Sequence, residues 1–362
     1  MTARNPSWWD PYSDQPRKLV AASKRHTSAS HLAEYSKTAL CALGVSPLLA
    51  FKLLMPNKSQ KKPEQKMEDF LGLGISDDRG NPNEIVDMVE DLGVQRLLLR
   101  VPTWDIAQID KYLEFASKFP KKKILVNILQ SRQSINDLDS WMVALETIIR
   151  AFRPITSEYQ LGNAINRSKW GCRHVGDYLT LLDCTKHLRK TFPGVFLAGS
   201  SIIDFEPLAT LRTLINMHQY RLDACTSLLY VNRRGSPYQR QFGMFDLKKK
   251  IRIIDELISI STKSDTRLWI TETNWPLLNT QPFTPNSGHP RSTVNEQTQA
   301  KYLTDYYQIA WRTGRVERVY WWQLIQAGYG LVDHRANKLR KMPSYLAFKE
   351  LCSSKDWVNQ TL

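Results

Sequence analysis

From Met67 onward, short apolar runs alternate with amphipathic stretches, eight times over. The runs predict strands over 70–76, 96–101, 123–129, 158–163, 195–201, 224–231, 267–271 and 318–324. Between them, residues 106–119, 137–152, 175–192, 205–217, 247–260 and 295–312 repeat apolar positions at three- and four-residue spacing. Residues 83–92 open this helical set and 344–351 close it. Strands alternating with helices require parallel pairing and right-handed crossovers. Eight such units point to an α/β fold, a (β/α)8 TIM barrel, over 67–355. A doubly wound sheet is the rival, and it carries a Gly-rich phosphate turn after its first strand. Here Gly72-Leu73-Gly74 lies inside that strand and no third glycine follows, which speaks against a dinucleotide site.

Residues 1–66 follow a different pattern and read as a basic, partly apolar N-terminal extension; 356–362 is a short tail. Residues 1–67 hold 11 Lys/Arg and 4 Asp/Glu, so this part carries +7 of the chain's formal +15. No apolar stretch stands where a secretory signal would need one. The apolar run 38–55 is interrupted by Lys52 and contains Pro47. Its uncharged part falls short of the roughly 20 residues of a spanning helix. Two readings remain open. One is an interfacial segment on an anionic leaflet, and the other is a helix packed under the barrel floor. Residues 59–66 read as a linker.

The apolar share of 42%, with 11 Trp and 14 Tyr, excludes a disordered chain. A basic chain implies an acidic partner, whether nucleic acid, anionic lipid or a phosphorylated substrate. Nucleic acid is not expected, because the aromatics sit at strand ends rather than along a basic stripe. Lys121–Lys123 and Lys248–Lys250 read mainly as solvated faces. Five scattered cysteines without a CxxC predict no disulfide framework and no structural zinc. His174 reads as the start of a helix, not as a metal ligand, and neither a metal nor a cofactor is expected. Unpaired cysteines and the missing signal suggest a cytoplasmic protein, peripheral on the inner face of the inner membrane if the N-terminal segment binds lipid.

In a barrel, chemistry belongs at the C-terminal strand ends. There the sequence places Asp77; Arg100 with Trp104; Gln130 and Arg132; Gly162 to Trp170; Asp204; Tyr230 to Arg234; Thr271 to Pro276; and Trp321-Trp322-Gln323. Trp stands near four of the eight strand ends. Flat indole faces suit the C–H faces of sugar rings. Glu272, in WITET, is a carboxylate at the end of a buried strand, so it needs a partner. Arg100, at the matching end of strand two, is the candidate. The long polar loop 277–292 after strand seven has the length of a lid.

These motifs resemble the clan-A retaining glycoside hydrolases. Glu272 in ITETNWP looks like their nucleophile, and Arg100 in LLLRVP like its partner. Tyr230 in LLYVNRRG and Trp321 or Trp322 in YWWQL look like the remaining members. More closely, GNAINRSKWG, ITETNWPL and ERVYWWQLIQAGYGLVD look like a group of bacterial glycosidase-like proteins whose genes accompany lipopolysaccharide-core assembly. The resemblance implies a barrel acting on a saccharide or sugar-phosphate. Glu272, Arg100, Asn163 and Tyr230 would serve catalysis. Trp104, Asn166, Lys169, Trp170, Asn232, Arg233, Asn274, Trp275, Trp321, Trp322 and Gln323 would bind substrate.

One departure stands out. The clan pattern has Asn-Glu after strand four, and this chain has Asn163-Ala164. Retaining hydrolysis uses two carboxyl groups, one to attack and one to protonate the leaving group. Three readings follow. The donor carries a phosphate or nucleotide that leaves without a proton, held by Arg167, Lys169, Arg233 and Arg234. Another acid substitutes, with Asp77, Asp204 and Asp333 as candidates. Or the barrel is a non-catalytic saccharide-binding scaffold. Glycosidase or transglycosidase ranks first, because Glu272, Arg100 and Tyr230 are all present.

Overall fold

The computed structural model describes residues 6–19, 29–55, 66–284, 292–336 and 338–354; the side chains of Ala29, Ser30 and Arg233 lie outside that description. A hairpin, β1 (Trp9–Asp10) and β2 (Gln15–Pro16), comes before the helix α1 (Ala29–Leu54). A single turn, α2 (Met67–Phe70), enters the barrel strand β3 (Leu71–Ile75). Seven strands follow: β4 (Arg96–Pro102), β5 (Lys123–Leu129), β6 (Glu158–Leu161), β7 (Phe196–Ile203), β8 (Ala224–Leu228), β9 (Leu268–Thr273) and β10 (Arg318–Trp321). They close in the order β10-β3-β4-β5-β6-β7-β8-β9, and every pair is parallel. This is the (β/α)8 barrel that the alternating pattern predicts.

The helices lie close to their predicted spans. They are α3 (Pro82–Leu92), α4 (Ile109–Ser117), α5 (Arg132–Asn136), α6 (Leu138–Phe152), α7 (Val175–Leu182), α8 (Thr185–Thr191), α9 (Pro207–Leu214), α10 (Leu247–Ile260), α11 (Glu296–Arg312) and α12 (Pro343–Ser353). Local chemistry sets many of their ends. Asn81, Asp137, Asp246 and Asn295 accept a backbone N–H of the first turn of α3, α6, α10 and α11. His174 does the same for α7. Gly93 closes α3 at φ 71°. The helix predicted over 175–192 is divided at Asp183-Cys184, where Asp183 accepts Gln219 N and faces His218. The 106–119 helix begins as a 3-10 turn over Thr103–Gln108. A small ribbon, β11 (Val332–Asp333) with β12 (Arg340–Lys341), follows β10.

Strand alternation sorts side chains between two cores. Val319 and Trp321 face the helix layer, whereas Tyr320 and Trp322 face the barrel interior with Leu98, Leu125 and Trp269. Gly72 and Gly74 permit this, because a Cβ at either position would collide with the Tyr320 or Trp322 ring. At the barrel floor, Arg318 grips Glu158 through both terminal nitrogens, 2.5 and 2.9 Å, and Arg96 pairs with Asp69 at 2.7 Å.

The lysine runs are only partly solvated. Lys122 reaches Glu90 and Lys123 reaches Asp69. Lys250 is buried with its Nζ 3.5 Å from Tyr230 O, and burial brings its pKa down to about 8. All five cysteines are free.

Helix α1 is longer than the apolar run suggests, because residues 29–37 are helical too. It packs against the side of the barrel, over α9 and α10, not under the floor. Glu34 forms a buried pair with Arg212 at 2.7 Å, Cys41 Sγ reaches Ile215 O, and Lys52 Nζ reaches Ser259 Oγ. The opposite face exposes Leu32, Tyr35, Leu40, Leu43, Leu48, Phe51 and Leu54. By length and composition, His31–Leu54 is apolar enough to cross a membrane. The predicted linker falls almost wholly outside the described residues, as does the 356–362 tail.

Candidate active site

The C-terminal strand ends surround a cavity of about 530 Å³. Glu272, at the end of β9, stands on its wall and is 9% exposed. Its Oε2 accepts Arg100 Nη2 at 2.5 Å, and its Oε1 accepts the Tyr230 hydroxyl. Arg100 comes from the end of β4 and stacks 3.5 Å over the Trp322 ring. The arrangement answers the cost of burying a carboxylate: one charge partner and one neutral donor take both oxygens. Burial, reinforced by the negative charge of Glu272, raises the Tyr230 phenol well above its ordinary range, so it remains a donor. Asn274 Nδ2 lies 3.4 Å from the Tyr230 hydroxyl and donates to Trp322 O at 2.8 Å. Arg234 lies over the Tyr230 ring and donates to Asn274 O.

The end of β6 is built differently. Asn163 is fixed by Asn127, which donates to its Oδ1 at 3.1 Å, and by Gln130, which bonds its backbone N and O. Asn163 lines the cavity, and its buried Nδ2 has no hydrogen-bond partner among the described residues. Ala164 is fully buried at φ 47° in an apolar cluster with Leu129, Trp170, Leu228, Tyr230 and Trp9.

Trp9 belongs to the N-terminal hairpin, which lies across the barrel mouth. Trp9 meets Trp104 at 5.3 Å and Trp170 at 5.7 Å between ring centres, and Trp8 meets Trp104 at 4.8 Å. Backbone carbonyls hold the turn: Pro11 O accepts Arg79 Nη2, Tyr12 O accepts Gln326 Nε2, and Ser13 O accepts the Tyr329 hydroxyl. Asp14 accepts Arg100 Nη1 at 3.1 Å, and Gln15 Oε1 accepts Lys169 Nζ at 2.5 Å. Ser13, Asp14 and Gln15 therefore form one wall of the cavity. Lys169 loses some of its basicity to burial, its pKa falling to about 8.

Of the residues singled out from sequence, Glu272, Arg100, Tyr230, Asn163, Lys169, Trp170, Asn232, Asn274 and Trp322 line this cavity. Five do not. Trp275 and Trp321 stack on each other, 6.0 Å between ring centres, in the helix-facing core. Asn166 spends its amide on the Ile203 backbone and on Glu206. Gln323 is buried beside Asp14, 3.5 Å from its Oδ2. Trp104 is covered by Trp8 and Trp9. The side chain of Arg233 lies outside the described residues.

Among the substitute acids, Asp77 is absent from the cavity wall, and so is Asp333, which Arg335 and Arg340 hold ionised with its pKa down to about 2. Asp204 lines the cavity but is paired with Arg167 at 2.7 Å. Of the lid-length loop, residues 277–284 and Ser292 are described; His289 lies outside the described residues. The sequence reading missed Trp8, Trp9, Asp14, Gln15, Glu206 and Tyr329. Two tryptophans beside Asp10-Pro11 and Ser13-Asp14 carried a hairpin signal, a pair of strand residues on either side of a turn.

No protein-family model matches this chain, and no curated protein matches it. Solved structures do. A family 39 glycoside hydrolase from the gut symbiont Bacteroides cellulosilyticus WH2 matches with a TM-score of 0.58 at 15% identity, over 80% of this chain and 65% of that one. This chain thus spans slightly less than two thirds of that enzyme. A GH51 arabinofuranosidase from Xanthomonas axonopodis pv. citri matches with a TM-score of 0.56 at 12% identity, over 82% of this chain and 74% of that one. The virulence factor SghA from Agrobacterium tumefaciens matches with a TM-score of 0.54 at 10% identity, over 82% and 99%. At such identities the likeness is one of fold: this chain shares the barrel of solved glycoside hydrolases.

Proposed function

We propose that the chain is a retaining glycosidase or transglycosidase with Glu272 as its nucleophile. The observation that carries this reading is the Glu272 carboxylate, oriented by Arg100 and Tyr230 on the wall of a cavity that suits a sugar ring. A bare structural ion pair would not need an open cavity beside it. The unpaired amide of Asn163 offers donors to a sugar hydroxyl. Lys169, Arg167 and Arg234 line the same cavity and favour a phosphate-bearing sugar, in keeping with cell-surface or lipopolysaccharide glycan assembly. The rival reading is a non-catalytic saccharide-binding scaffold. The apolar surroundings of Ala164 and the covered face of Trp104 support it.

Incubation with a panel of 2-deoxy-2-fluoroglycosyl fluorides separates the two. Fluoride leaves without a proton donor, so a covalent adduct on Glu272, read by intact mass and peptide mapping, is expected. No adduct across the panel favours the scaffold.

The proposal extends to location: the outer face of α1 docks on an anionic bilayer from the cytoplasmic side. Its exposed leucines, Tyr35 and Phe51 form one apolar surface, and the chain's positive charge complements acidic lipid. The expected result is binding of the full chain to phosphatidylglycerol vesicles, weakened by the double change Leu40→Asp and Leu43→Asp. Equal binding by the variant would overturn the docking.

A further inference from the structure

The missing acid of the β6 end has a replacement in space. Asp14 sits in the turn between β1 and β2, at φ 51°, with its side chain on the cavity wall. One guanidinium bridges it to Glu272: Arg100 Nη1 meets Asp14 Oδ2 at 3.1 Å, and Nη2 meets Glu272 Oε2 at 2.5 Å. Two carboxylates on the two ends of one guanidinium fall within the span over which carboxyl pairs cleave glycosides, roughly 5 to 9.5 Å. Asp14 Oδ2 also lies near Gln323 Nε2, while Oδ1 has no hydrogen-bond partner among the described residues.

Charge counting favours a proton here. Arg100 supplies one positive charge to two buried carboxylates, so one of the pair is pressed to stay neutral. Burial first, then the negative charges of Asp78 and Glu272, raise Asp14, against the opposing pull of Arg100 and Arg79. The other carboxyls on the cavity wall are placed otherwise. Asp204 and Glu206 are both paired with Arg167, and their side chains are 44% and 42% exposed. Such groups are held as solvated anions, poor proton donors near neutrality.

We propose that Asp14, delivered by the N-terminal hairpin, is the general acid and base that works opposite Glu272. This rests on the retaining mechanism proposed above. In the first step, a Glu272 oxygen bonds to the anomeric carbon as the bond to the glycosidic oxygen breaks. Protonated Asp14 gives its proton to that oxygen, so a neutral alcohol leaves and Asp14 becomes a carboxylate. In the second step, Asp14 takes a proton from water, or from an acceptor sugar hydroxyl, as its oxygen attacks the same carbon. The bond to Glu272 breaks, the free carboxylate returns, and Asp14 is protonated again.

The hairpin is seated for such a role. Trp9 fills the apolar space beside Ala164, and the carbonyls of three consecutive residues, Pro11, Tyr12 and Ser13, are bonded to Arg79, Gln326 and Tyr329. These contacts fix the turn that aims Asp14. A strand-four acid would need the space that Trp9 now takes.

The test uses the full chain and the sugar whose 2-fluoroglycosyl fluoride labels Glu272. Asp14→Asn is compared with the unaltered protein on the glycosyl fluoride and on the methyl glycoside of that sugar. The expected loss is about 10² to 10⁴-fold on the methyl glycoside and under about tenfold on the fluoride. Added azide should restore turnover of an activated aryl glycoside by Asp14→Asn and give a glycosyl azide of retained configuration. Trp9→Ala, which keeps the carboxyl but loosens its seat, should show the same selective loss in weaker form. Unfolding midpoints of both variants separate misfolding from chemistry. Wild-type rates of Asp14→Asn on the methyl glycoside, or equal losses on both substrates in a folded variant, would overturn the role of Asp14 and leave Glu272 standing. Failure of the unaltered protein to label at Glu272 would remove the mechanism and the role of Asp14 together.

Discussion

The ends of β9 and β6 face each other across one cavity and are built on opposite principles. At β9, Glu272 retains a full polar escort: Arg100, Tyr230 and, one contact further, Asn274 and Arg234. At β6, Asn163 keeps its polar supports, but the next position, Ala164, is sealed in hydrocarbon and indole. A polar network is worth keeping only when every member is satisfied, since each orphaned buried group costs as much as a good contact gains. The β9 end is such a network. The β6 end shows what takes its place once the carboxylate is gone: a different part of the chain fills the space.

That contrast can be broken experimentally. The largest effect is expected at Glu272: Glu272→Gln should lower turnover on the order of 10⁴-fold, read in single-turnover assays with the labelled sugar. Arg100→Met should come next. It leaves two buried carboxylates without their shared counter-charge and should destabilise by about 3 to 5 kcal/mol at pH 7. The urea midpoint would report it, and the deficit should shrink in acid as the stranded carboxyls take up protons. Ala164→Glu asks whether the β6 end still accepts its lost carboxyl. With the hairpin present it should cost about 3 kcal/mol without raising activity, because the new group has no polar partner beside Trp9 and Trp170. A stable, faster variant would show that the two ends are interchangeable after all.

The smallest effect sharpens the substrate. Lys169 is pulled down to about 8 by burial, opposed by Glu272 and Asp10 and reinforced by Lys18 and Arg167. It is therefore charged below pH 8 and neutral above it. For a glycosyl phosphate, KM should rise above pH 8 by up to about tenfold per unit, whereas the KM of an uncharged saccharide should stay flat. Steady-state kinetics from pH 6.5 to 9.5 would show it.

How much of this was legible in sequence depends on how local the cause was. The eight strands and most helices follow from runs and periodicity, and β5 and α10 fall on their expected spans. Glu272 and Arg100 were legible because each ends an apolar strand in a fold that gathers strand ends. Trp321 and Trp322 were left unresolved, although alternation along β10 decides between them: Val319 and Trp321 turn outward, Tyr320 and Trp322 inward. Trp275 fails for a related reason, since its ring joins the same outward stack. The hairpin was illegible as a site element. It is four strand residues around a turn, and Asp14 meets Arg100 from 86 positions away. Nothing in a local window reports such a contact. Helix α1 shows the converse: its composition was plain, but its seat over α9 and α10 depends on Arg212 and Ser259, which no nearby pattern marks.

The bonds that hold the turn also set an order of events. Tyr12 is tied to Gln326 across 314 positions, and Ser13 to Tyr329 across 316. On a ribosome the hairpin emerges among the earliest residues and meets these partners only after the last barrel strand has been made, roughly 15 to 60 seconds later at ordinary elongation rates. The first residues synthesised are thus among the last to dock. A nascent or truncated chain that still lacks β10 would have no seat for the hairpin, and so no complete mouth through which to bind a sugar.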